Sequence, residues 1–125
     1  MPITTSFESD FITCTMGRDA VDGEFEDFAS SNPDLMNHNI LWDLTDYDFL
    51  QLDPQSVYVL AGKFPELSSG FRPGLKRAIL VKSDLGFGMM RMLELLSEDS
   101  ISTVLNVFRN REEAIEWLKT GDQNS

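Results

Sequence analysis

Hydrophobic positions in this chain change period along its length, and the changes mark its elements. Residues 3–7 and 11–16 are rich in β-branched and aromatic side chains and flank the polar turn Glu8-Ser9-Asp10, the pattern of a β-hairpin. In the second run Ile12, Cys14 and Met16 alternate with Phe11, Thr13 and Thr15, so both faces carry apolar members and the sheet is partly covered on each. The period then lengthens. Val21, Phe25, Phe28 and Ala29 stand at i, i+4, i+7 and i+8, which predicts a short helix over about 20–30. Ser31-Asn32-Pro33-Asp34 is expected to end it, because proline cannot continue a helix. Residues 40–44, Ile-Leu-Trp-Asp-Leu, predict a central strand.

Asp53-Pro54 has the form of a helix start, and Val57, Leu60, Ala61 and Phe64 form the stripe behind it, with Pro65 as the expected stop. Residues 65–75 read as a loop. The apolar run 78–81 predicts a strand buried on both faces. A helix from about Asp84 to Ser97 and a strand over 102–108 follow. Asn110 and Glu113 then make a capping box for a last helix packed by Ala114, Ile115, Trp117 and Leu118 and ended by Gly121. Trp42 and Trp117 are expected in the core, and 122–125 as a polar tail. The predicted order is ββαβαβαβα: an α/β domain with a mixed, largely parallel sheet of about five strands and about four helices, its core spanning 3–119.

Composition narrows this picture. A length of 125 residues suits one domain, and 42% hydrophobic with 25% charged residues suits a folded one. The single cysteine, Cys14, can make neither an intramolecular disulfide nor a thiolate cage for zinc. No stretch approaches the roughly 20 apolar residues of a membrane helix, and residues 1–5 lack a basic segment leading into an apolar run. A reducing cytoplasm is the expected location, without stable membrane insertion. The formal net charge is −11, and residues 1–62 carry 12 acids against one base, Arg18. Such a field repels phosphate backbones, so nucleic acid is not an expected partner.

Three segments resemble a known family. Residues 76–81 (Lys-Arg-Ala-Ile-Leu-Val), 84–92 (Asp-Leu-Gly-Phe-Gly-Met-Met-Arg-Met) and 107–118 (Val-Phe-Arg-Asn-Arg-Glu-Glu-Ala-Ile-Glu-Trp-Leu) look like the SpoIIAA-like proteins. These are bacterial relatives of the STAS domain, sometimes grouped with the lipid-binding SEC14 fold. Leu41-Trp42-Asp43-Leu44 also resembles their second core strand. The resemblance covers roughly 38–119. It implies a STAS-like fold and a non-enzymatic regulatory or protein-interaction role like that of anti-sigma-factor antagonists. In those proteins a serine at a helix start is phosphorylated. Ser56 lies near that place, with Asp53-Pro54 at the helix opening instead of the antagonists' Asp-Ser-Ser-Gly.

Other residue groups carry possible chemistry. Asp43, Asp46, Asp48 and Asp53 crowd one segment, but the spacing lacks the glycine and glutamate of a calcium loop, so no metal is expected. Asp43 and Lys82 have the placement of a phosphoreceiver's acceptor and lysine, without the paired acids that site needs after its first strand. Lys82, Gly86 and Gly88 stand where a helix start can contact an anion. Arginine, Arg91, holds the place of the third glycine of a dinucleotide fingerprint, and close packing is the simpler role for the glycines. His38, the single histidine, has no nucleophile beside it in sequence. Phe64, Phe87, Met89, Met90 and Met92, with Arg91, suggest a flexible apolar face suited to a protein partner, a second copy of the chain, or a small apolar ligand or lipid. Neither a cofactor nor a catalytic set is expected.

Overall fold

A computed structural model describes residues 3–20, 23–67, 70–71, 74–98 and 103–120. The strands are β1 (Ile3–Phe7), β2 (Ile12–Met16), β3 (Ile40–Asp43), β4 (Lys76–Leu80) and β5 (Val104–Phe108). They form one sheet in the order β1-β2-β3-β4-β5, with β1 antiparallel to β2 and the rest parallel. The helices are α1 (Glu24–Ser31), α2 (Pro33–Met36), α3 (Pro54–Leu67), α4 (Asp84–Ser97) and α5 (Arg111–Lys119), with a 3-10 turn over Phe49–Gln51 before α3. The α/β class and the mixed, mainly parallel five-stranded sheet are as the sequence predicts.

The layering follows from connectivity. Each parallel crossover from β2 to β5 steps to the next strand in the same direction. Right-handed crossovers therefore place α1, α3 and α4 on one face of the sheet. They cover a large core that includes Ile12, Cys14, Ile40, Trp42, Ile79, Met90, Leu93 and Val107. After β5 the chain folds α5 onto the opposite face. There Phe11, Leu41, Ala78, Leu80, Ala114 and Leu118 make a smaller core. Alternation decides which side chain goes where: Leu41 faces α5, while Ile40 and Trp42 face α3 and α4. Trp42 is buried, whereas Trp117 is half-buried against Phe108, with ring centroids 5.6 Å apart.

Prolines account for two departures from the predicted elements. Pro33 does not merely end α1. Asn32 breaks that helix, its side chain donating to the Phe28 carbonyl at 2.8 Å, and Pro33 then opens α2 at its first position. The described residues thus form five α-helices rather than about four. Pro65 lies inside α3, near its end, where it forfeits only one backbone bond. The last strand begins at Val104. The expected helix stop at Gly121 and the tail at 122–125 lie outside the described residues.

Helix α4 is fixed at its start by Ser83, whose hydroxyl accepts from the Gly86 N–H at 2.9 Å. Gly86 lets the helix lie directly on the Phe49 ring: a methyl at this position would come within 2.7 Å of it. At α5, Asn110 accepts from the Glu113 N–H at 3.0 Å, the half of the capping box that forms. Among the described residues no helix is long and apolar enough to cross a membrane.

Candidate functional site

A cavity of about 510 Å³ lies between the larger sheet face and its helices. The sheet supplies the floor: Met16 from β2, Trp42 from β3, Arg77 and Ile79 from β4, and Leu105 from β5. Phe25, Phe64 and Leu60 form walls from α1 and α3, and Met90 and Leu93 close the side of α4. Aromatic rings make one wall continuous. Phe25 meets Trp42 edge-on at 5.1 Å and Phe64 at 6.2 Å. Such contacts fix ring positions beyond what area burial achieves. The volume and the mainly apolar lining are those of a small-molecule site. The rim is polar: Gln55, Glu26 and Lys63 stand there, and the last two pair at 3.2 Å across α1 and α3.

Two polar groups interrupt the apolar wall. Arg77 shares the face of Ile79 because a strand repeats every two residues, and it is only 6% exposed. Its terminal nitrogens donate to the carbonyls of Met36 and His38, at the end of α2. Among the described residues no carboxylate pairs with it. Burial pushes the Arg77 guanidinium down to about 10, an effect that the neighbouring Cys14 partly opposes. Thr103 is also buried, and its hydroxyl has no hydrogen-bond partner among the described residues. Cys14 is fully buried, and burial pushes its thiol up to about 12 against the favourable charge of Arg77. A thiol so held is a packing group and not a nucleophile.

At the opposite end of the sheet, the C-terminal edge of the parallel strands, polar residues hold one another in place. Asp43 is buried. One oxygen accepts from the Thr45 N–H at 3.0 Å and hydroxyl at 2.7 Å, and the other accepts from Arg111. Burial alone would raise the Asp43 carboxyl, but Thr45 and Arg111 outweigh it and hold the group below the usual carboxylate range. No hydrogen bond or ion pair joins Asp43 to the Lys82 ammonium, which is exposed. Arg109 pairs with Asp84 at 2.8 Å and donates to the Lys82 carbonyl at 3.2 Å.

The sequence-derived site residues thus disperse. The aspartate segment divides its labour: Asp43 ties β3 to α5, Asp48 caps the 3-10 turn through Leu50, and Asp53 accepts from the Gln55 N–H at 3.0 Å. Among the described residues no group of three metal-ligating side chains comes together. At the start of α4, Gly86 is buried against Phe49, its N–H is taken by Ser83, Gly88 is exposed, and the Asp84 carboxylate occupies the neighbourhood an anion would use. His38 is an exposed loop residue. Ser56 stands in the first turn of α3, on the cavity rim.

The methionine face is less exposed than its composition suggests. Met90 is core, and Met89, Met92, Phe87 and Phe64 are half-buried against it. Arg109 lies over the Phe87 ring at 5.6 Å, and Arg91 pairs with Glu94 at 2.9 Å. The exposed apolar residues of α4 are instead Leu85, Leu95 and Leu96. Of the predicted surface, Phe64 and Met90 are the members that line the cavity.

Sequence reasoning missed Arg77 and Thr103. Arg77 stands in the sequence only as the residue leading into the apolar run 78–81. Its placement two residues before Ile79, in a strand buried on both faces, was the available signal that it points inward. In comparisons with known proteins, no family model, no curated protein and no solved structure matches this chain.

Proposed function

We propose that this chain is a binding module for a small apolar molecule, held in the cavity between the sheet and helices α1, α3 and α4. One observation carries the reading: a cavity of about 510 Å³, open to solvent at its polar rim and floored by the core residues Trp42, Ile79 and Leu105. A mainly apolar cavity that is open to solvent leaves that lining against water, a cost that an apolar ligand would remove. The SEC14 grouping of the resemblance points the same way. The STAS-like identity of the fold rests on the quoted motifs, together with the α/β class.

The two tryptophans make the test direct, because Trp42 lines the cavity and Trp117 packs on the other side of the sheet. In a Trp117→Phe variant, excitation of Trp42 is expected to pass saturably to the neutral dye 1-aminoanthracene at micromolar concentrations. An absence of saturable energy transfer, with the variant shown to be folded by circular dichroism, would sink the reading.

A protein-interaction role is the second reading, and the exposed Leu85, Leu95 and Leu96 of α4 favour it. It is compatible with a ligand in the cavity, since these side chains point away from the core.

A further inference from the structure

Resting on the cavity reading, we infer that the ligand is a monoanionic amphiphile, a carboxylate on an apolar body, with its headgroup on Arg77 and Thr103 and its body along the Trp42–Ile79 floor. The charge balance is the first ground. A buried ion is costly unless paired. Arg77 has only the carbonyl dipoles of Met36 and His38 and no carboxylate among the described residues. A guanidinium offers five N–H donors, so three are left when these two bonds are made. The group sits at the cavity wall, between Met36 and the Phe71 ring, which lies 6.0 Å from its central carbon.

Thr103 is the independent second ground. Thr103 lines the same cavity, and its buried hydroxyl has no hydrogen-bond partner among the described residues. Thr103 immediately precedes β5, whose Leu105 is directly paired with Arg77, and all three residues line the cavity. The cation and the orphan hydroxyl therefore belong to one cavity lining. Beside Arg77 the lining is the apolar ring of Phe71. One guanidinium balances one negative charge. A dianionic phosphate would retain an uncompensated charge inside a protein of net charge −11.

The test compares dodecanoate, methyl dodecanoate and 1-dodecanol as competitors of 1-aminoanthracene in the Trp117→Phe chain. Dodecanoate is expected to bind at least about tenfold more tightly than the ester or the alcohol, the usual scale of a hydrogen-bonded charge. Arg77→Met is expected to bring the three within about threefold of one another, and Thr103→Val to weaken dodecanoate by a few-fold while leaving the alcohol unchanged. Arg77→Met can lose the anchoring of α2, so the ligand series on unaltered Arg77 and the Thr103→Val variant carry the decision. Equal affinities for all three competitors would overturn the anionic headgroup and leave the apolar cavity reading standing. Failure of the dye itself to bind would overturn both.

Discussion

Leu41→Ala is expected to cost about 3–4 kcal/mol of stability, toward the upper end for a buried leucine. Leu41 is fully buried in β3 and faces α5, in a core whose other buried members among the described residues are Phe11, Ala78, Leu80, Ala114 and Leu118. Ala78 and Ala114 bring backbones close, so the walls around the missing isobutyl group have little freedom to collapse. The transfer loss and the cavity term then add. Urea denaturation should show the loss at unchanged slope, and thermal melting a fall of roughly 10–15 °C. The dye affinity should stay within about twofold, because the substitution acts on the other side of the sheet and distant sites are close to additive. A loss below about 1.5 kcal/mol would mean that α5 does not clamp this face.

Ile79→Trp reverses that profile. Ile79 is 4% exposed and lies between Trp42 and Val107 in the register, at the centre of the cavity floor. In a close-packed core such an enlargement costs about 1–3 kcal/mol or more. Beside a cavity open to solvent the indole has room to extend, and stability is expected to stay within about 1 kcal/mol of the parent. Dye and dodecanoate binding should fall at least about tenfold, since the ring takes the volume that the ligand needs. Severe destabilisation with binding retained would place the ligand elsewhere.

The contrast between these variants reflects what the residues reveal locally and what only their assembly reveals. The strands were legible because alternation is a local property: Ile12, Cys14 and Met16 on one face predict β2 as observed. The stripe Val57, Leu60, Ala61 and Phe64 likewise marks the inner face of α3. Pro33 and Pro65 misled because proline both breaks and begins helices, and the outcome depends on how many bonds it forfeits at that place. The cavity was not legible. Its lining is pooled from four strands and several helices, and a void is set by how far side chains fall short of meeting, which no window of sequence records. The methionines were read as a surface because helical spacing does not say how many neighbours a helix will have. α4 packs against α3, β5 and the 3-10 turn at once, which buries Met90 and half-covers Met89 and Met92.

Methyl carbon–proton correlation spectra recorded during titration with dodecanoate test the central claim most directly. The methyl signals of Leu60, Ile79, Met90 and Leu105 are expected to shift together and saturate, while those of Leu41, Ala78, Ala114 and Leu118 stay fixed. Shifts confined to Leu85, Leu95 and Leu96, or no saturable shift at the first four residues, would contradict a ligand site between the sheet and its three covering helices.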